Sequence, residues 1–135
     1  MEVWELNPFV RYMDQRIGSV SYEKAILAYD YRLFAVQDGA CSVETDDGVI
    51  PLNKHSIILI PPGTPYRMLY DSQHPARLYD VNFLLGYIPG PSLSQDTRET
   101  FDPSRMPEKP DGTLLAHVQV AENAEGLFQI GRAHV

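Results

Sequence analysis

The chain has 135 residues, enough for one domain with a sizeable core. Its apolar share of 44% and charged share of 21% are those of an ordinary globular domain and exclude wholesale disorder. With 11 Lys and Arg against 18 Asp and Glu, the formal charge is −7, and such a chain lacks the basic footprint that nucleic acid attracts. A lone cysteine, Cys41, excludes an internal disulfide and a four-cysteine zinc site. The N-terminus has no basic start followed by an apolar run, so no secretory leader is expected. Ile57–Pro62 is the longest apolar stretch, too short to span a bilayer. The expected setting is the reducing cytoplasm, with no membrane contact.

Residues 1–19 are mixed and weakly patterned and are expected to form an N-terminal extension. From Val20 short apolar runs alternate with turn residues, the pattern of an all-β sandwich or barrel. Strands are predicted at Glu23–Tyr29, Tyr31–Gln37, Ala40–Thr45, Gly48–Leu52, Ser56–Ile60, Pro65–Leu69 and Ala76–Leu85, so the barrel is expected over residues 20–85. Asp38-Gly39 and Asp47-Gly48 sit between strand patterns and supply the positive φ of tight hairpins. Asn53-Lys54 closes a third connection. Pro61-Pro62-Gly63-Thr64-Pro65 ends the strand before it, because proline cannot donate to a ladder.

Beyond Leu85 the pattern collapses into a Pro-rich loop over residues 86–114, either functional or simply a surface connection. Residues 115–129 are expected to hold a short strand at Leu115–Val120 and then the start of a helix from Ala124, capped by Asn123. The tail Ile130–Val135 is what a common sequencing-library adapter gives when read in frame. It is expected to be non-native, with the natural protein cut near Gln129, and His134 is therefore given no functional weight. Gly86 and Gly90 lack the strand–turn–helix context of a phosphate loop.

Three segments carry a resemblance: Asp30–Leu52 (DYRLFAVQDGACSVETDDGVIPL), His55–Leu69 (HSIILIPPGTPYRML) and Ala76–Phe83 (ARLYDVNF). Together they resemble the cupin-type sensor domain of AraC-family transcription regulators. The most specific part is the strand–Pro-Pro-Gly-Thr-Pro–strand block. The chain departs from the family pattern at His55, where Gly is usual, and at Tyr66, where His is usual. The implied fold is an all-β, cupin-like double-stranded β-helix, an arabinose-binding-like jelly-roll barrel with the start of a C-terminal helix.

Metal-dependent members of the wider cupin group use three His and a Glu. Carried onto this chain by the Gly39 and Gly63 anchors, those positions are Ile26, Ala28, Arg32 and Tyr66. Such side chains make a poor first-row metal site, so neither a metal nor another cofactor is expected. The remaining His55, His74 and His117 have no ligand-like spacing.

Strand parity puts Ala28, Asp30, Arg32 and Phe34 on one face, and Tyr66 and Met68 should face the same interior. On the last long strand, Leu78, Asp80 and Asn82 alternate with Tyr79, Val81 and Phe83. A polar face would ordinarily be solvent-exposed, but the resemblance puts Asp80 and Asn82 inside. The candidate ligand-binding residues are then Arg32, Phe34, Tyr66, Met68, Asp80 and Asn82, a pocket for a small polar molecule such as a sugar. The alternatives stand beside it: Arg32 exposed or paired with Asp30 or Asp80, Asp80 and Asn82 facing water, Tyr66 as a core aromatic with its hydroxyl at the rim. Cys41 reads as a small core hydrophobe.

The resemblance implies a non-enzyme: the ligand-sensing and dimerisation domain of an AraC-type regulator, a homodimer in the full-length protein, touching DNA only through a missing C-terminal helix-turn-helix domain. The alternatives are a metal-independent cupin epimerase, isomerase or lyase, for which His55 with Asp80 is the one acid/base candidate, and an interaction module with a solid core.

Overall fold

The computed structural model describes residues 9–86, 95–108 and 117–124. The strands are β1 (Phe9–Gly18), β2 (Tyr31–Asp38), β3 (Cys41–Thr45), β4 (Gly48–Leu52), β5 (Ile57–Ile60), β6 (Tyr66–Leu69), β7 (Ala76–Leu84) and β8 (Gln119–Ala121). They form two antiparallel sheets: a five-stranded one in the order β1-β7-β2-β5-β8, and a three-stranded one in the order β4-β3-β6. The architecture is the all-β double-sheet jelly roll expected.

The side-chain pattern explains why the sheets face each other. In β3, Cys41 and Val43 are buried while Ser42 and Glu44 are partly exposed, a period of two that gives the strand one wet face. In β5 all four residues, Ile57-Ile58-Leu59-Ile60, are buried, as a strand covered on both faces requires. Between the sheets lies a core of Phe34, Val36, Val43, Leu52, Ile58, Ile60, Tyr66, Met68 and Leu78. The other face of the large sheet carries a second cluster, in which Tyr31 stacks on its register partner Phe83 at 5.3 Å, with Leu59 beside them.

Turn chemistry follows the sequence. Gly39 has φ 75° and Gly48 φ 131°, and in the third connection the positive φ falls on His55, at 70°. At Gly39 two constraints coincide, because a Cβ there would also stand 2.7 Å from the Pro75 carbonyl oxygen. Gly39→Ala is therefore expected to lower stability by at least the left-handed penalty of about 1–2 kcal/mol, read as a lower urea midpoint with an unchanged m-value. Gly18 serves differently: a Cβ there would lie within 2.1 Å of the Tyr70 ring, which packs against the end of β1.

Several expectations need correction. The N-terminal extension assigned to residues 1–19 contains β1, which pairs with β7 along the length of both strands. Its apolar residues fall on both faces, Tyr12 on the Asn82 face and Val10, Met13 and Ile17 on the other, and the bulge between Val10 and Tyr12 breaks the period, so no clean alternation marks it. The strand expected at Glu23–Tyr29 is reduced to two isolated bridges, Ile26 to Tyr66 and Leu27 to Asp96. That segment crosses from the small sheet, where Ile26 meets β6, to the large sheet, where Tyr31 begins β2, and cannot ladder with either for long. The strand expected at Leu115–Val120 is found at Gln119–Ala121, paired with β5. In the Pro-rich loop, Asp102 caps a short 3-10 turn at Pro103–Arg105, and the Glu108 carboxylate accepts from the Leu85 and Gly86 amides at 2.6 and 2.8 Å. The expected helix beyond Ala124 and the tail Ile130–Val135 lie outside the described residues.

Candidate ligand-binding site

The register of the large sheet sets the site out in rows. One row runs Tyr12, Asn82, Arg32, Ile60 across β1, β7, β2 and β5; the next runs Asp14, Asp80, Phe34, Ile58. Of these, Arg32, Phe34, Asp80 and Asn82 lie on the face turned to the small sheet, because they share parity with the core residues Val36 and Leu78. From the small sheet Tyr66 and Met68 come to meet them, with the Phe34 and Tyr66 rings 5.9 Å apart and tilted by 59°. Tyr22 adds a third aromatic, 6.3 Å from Tyr66.

All six candidate residues are buried: Arg32 is 6% exposed, Asp80 4%, Asn82 5%, and Phe34, Tyr66 and Met68 at most 1%. Asp80 and Asn82 thus do not face bulk water, and the Tyr66 hydroxyl is not at a rim. Arg32 is neither exposed nor paired with Asp80. Its Nε donates to the Asp30 carboxylate at 2.7 Å and its Nη1 to the Gln95 side chain at 3.1 Å. Asp80 is instead paired with Arg16 of β1, 3.3 Å away. Arg16 also donates to the Tyr12 hydroxyl, which in turn donates to Asp14.

The buried Arg32 and the half-exposed Arg16 are therefore each matched by a carboxylate, which leaves the interior close to electrically balanced. Hydrogen bonding is not balanced. Asp80 Oδ1, Asn82 Oδ1 and Tyr66 Oη are buried without a partner. Buried polar atoms are almost always satisfied, and each orphan costs about 1–3 kcal/mol. Here two acceptors and one hydroxyl are contributed to the same interior, and Arg16, which faces Asp80, adds an orphaned Nε donor. Burial raises the Asp80 carboxyl above its ordinary range; Arg16 and Arg32 oppose that shift, and Asp14 and Asp30 reinforce it. Burial likewise raises the Tyr66 hydroxyl well above the tyrosine range, so it stays protonated and able to donate. The Cys41 thiol is pushed up to about 11 by burial and serves as a small core group.

His55 occupies the β4–β5 turn, its backbone N–H donating to the Val36 carbonyl. Among the metal-equivalent positions, Ile26 bridges Tyr66 through the backbone and Ala28 is buried. Among the described residues no group of three or more His, Cys, Asp or Glu is placed to hold a metal ion, and no helix is long and apolar enough to cross a membrane. Sequence reasoning missed Tyr12, Asp14, Arg16 and Tyr22, which reach the site on the unrecognised edge strand and the crossing segment; nothing in their spacing marks them.

Two sheets closed over an interior that is part apolar and part polar make a cupin-type barrel. The model of the AraC-like ligand binding domain matches residues 20–131, and the chain belongs to that family. Solved structures similar to it include a protein of Neisseria meningitidis (13% identity over 62% of this chain and 87% of that one, TM-score 0.47). Another is a cupin protein of Bacteroides fragilis (12% identity, 67% and 86% covered, TM-score 0.47). A third is ToxT of Vibrio cholerae (15% identity, 53% and 30% covered, TM-score 0.38). No curated protein matches the chain.

Proposed function

We propose that this chain is the small-molecule-sensing domain of an AraC-type transcription regulator, cytoplasmic and not an enzyme. In the full-length protein it works as a homodimer and reaches DNA through a separate helix-turn-helix domain. Its ligand is a small, electrically neutral molecule rich in hydroxyl donors, such as a sugar, held by Asp80, Asn82 and Tyr66 against a wall of Phe34 and Met68. The observation that carries this reading is the set of buried, unpartnered oxygens on those three polar residues. Among the described residues Arg32 and Arg16 each already face a carboxylate, so an anionic ligand would add a charge without an unopposed cation beside it, whereas hydroxyl groups would satisfy the orphaned acceptors and could also accept from the Arg16 Nε. The aromatic rings suit the apolar face of a sugar ring. Binding would act by population shift, favouring whichever arrangement of the full-length dimer binds the ligand more tightly.

Calorimetric titration of the chain with neutral sugars and polyols, matched against sugar acids and aliphatic amines, tests this. Neutral hydroxylated compounds should bind and the charged ones should not; binding confined to sugar acids would overturn the ligand class. The binder should be recovered unchanged after long incubation, and turnover would favour the enzyme alternative. Tyr66→Phe should weaken binding by about 0.5–1.5 kcal/mol, the worth of one neutral hydrogen bond. The same change should leave the unliganded chain as stable as before or slightly more so, since it deletes an orphaned hydroxyl. A thermal melt with and without ligand reads both effects.

A further inference from the structure

Of the seven large apolar side chains left exposed among the described residues, four, Val10, Tyr12, Met13 and Ile17, lie on β1, with Val20 just beyond it and Val49 and Val120 on β4 and β8; Met13 and Ile17 are each 67% exposed. β1 is also the end strand of the large sheet. One edge pairs with β7, and among the described residues no strand pairs with the other. A long edge strand with apolar side chains is a template for adding another strand, and proteins usually blunt such edges with proline, bulges or brevity. β1 has a bulge between Val10 and Tyr12, but from Tyr12 to Gly18 its register is regular and the segment has no proline.

We propose that β1 is a homodimer interface, pairing antiparallel with β1 of a second copy about a two-fold axis at Gln15. The sequence FVRYMDQRIG is self-complementary in that register. Gln15 faces its own copy, Asp14 faces Arg16 twice, and Met13 faces Ile17 twice. Neighbouring registers are worse. An axis at Asp14 sets two carboxylates face to face, and one at Arg16 sets two guanidinium groups face to face. An axis at Met13 leaves Asp14 opposite Tyr12 and Arg16 opposite Val10. Opposite charges and apolar pairs across strands stabilise, and like charges directly opposite destabilise. The two large sheets then become one continuous sheet with both interiors on the same side, in an isologous contact that closes without propagating. This inference rests on the edge strand alone and stands whether or not the ligand reading holds.

The test is sedimentation equilibrium of the whole chain over a wide concentration range. The unaltered chain should show a monomer–dimer equilibrium. Met13→Lys and Ile17→Glu should each weaken the dimer roughly tenfold, because each change places two charges opposite apolar groups across the axis. The double variant should recover to within about threefold of the unaltered chain, since the two new charges then face each other between subunits. Within one strand those positions are roughly 13 Å apart, too far to pair, so recovery reports the intermolecular register. Both side chains are exposed, so at concentrations where parent and variants are monomeric the variants should keep the thermal midpoint of the parent. A chain that is monomeric throughout, a dimer indifferent to the single changes, or a double variant as weak as the worse single would each overturn the proposal.

Discussion

Arg32→Ala is expected to destabilise the domain by about 3–5 kcal/mol, the cost of breaking a buried ion pair from one side. Arg32 and Asp30 are 6% and 1% exposed, and the guanidinium Nε stands 2.7 Å from the carboxylate. Removing the guanidinium strands the carboxylate in the barrel wall and also drops the contact to Gln95, which ties the 95–108 segment to the sheet. Marginal stability of about 5–15 kcal/mol means that such a loss removes a large part of the total. The companion variant Asp30→Asn/Arg32→Met should recover most of it, because a neutral amide and an apolar side chain of similar length replace the charged pair. Urea unfolding of the three proteins reads the comparison. A single variant within about 1 kcal/mol of the parent would show that water reaches Asp30, and that the pair is not sealed in the wall.

The pairing of Arg32 with Asp30 is one of the alternatives the sequence left open. Parity alone located it on the inner face beside Asp30 and Phe34, and that much needed only a period of two. What parity cannot decide is which of two nearby carboxylates takes the guanidinium, since Asp30 and Asp80 were both within reach. The structure gives it to Asp30 and hands Asp80 to Arg16. Arg16 was illegible because β1 is an edge strand with apolar residues on both faces, and its membership in the sheet is a long-range fact set by pairing with Ala76–Leu84. The hairpins were legible for the opposite reason. At Gly39 and Gly48 the chain reverses within a few residues, so local φ requirements show directly in the sequence. The segment Glu23–Tyr29 had the composition of a strand but the job of a crossing, and composition does not reveal which sheet a residue must reach. The side chains of Asp80 and Asn82 read as a solvent-facing stripe on chemistry alone. Only the family resemblance argued for the interior, and the structure buries both.

Asp80→Asn is expected to move stability and ligand binding in opposite directions. The Asp80 carboxyl is raised chiefly by burial, and its register partner on β1 is a second carboxylate, Asp14. For an acid whose folded-state pKa lies above its unfolded value, the folded form holds the proton more tightly. The associated stability is present at pH below the unfolded value of about 3.9 and is lost as pH rises through the folded one. At neutral pH the ionised Asp80 is therefore a net burden, only partly relieved by Arg16, whose side chain is 39% exposed. Replacing it by Asn removes the charge opposite Asp14 and should raise stability at neutral pH by about 0.2–1 kcal/mol. That gain should shrink as pH falls through the raised Asp80 range, because the parent's carboxyl is then neutral too. Binding should suffer instead. An amide oxygen is a weaker acceptor than a carboxylate, and loss of a charge-assisted hydrogen bond costs about 1.5–3 kcal/mol, roughly ten- to a hundredfold in affinity for the neutral sugar that binds best. The paired measurement is a urea titration at several pH values and a calorimetric titration at neutral pH. A residue kept only for structure would lose stability on replacement and leave affinity alone, and that result would remove Asp80 from the ligand site.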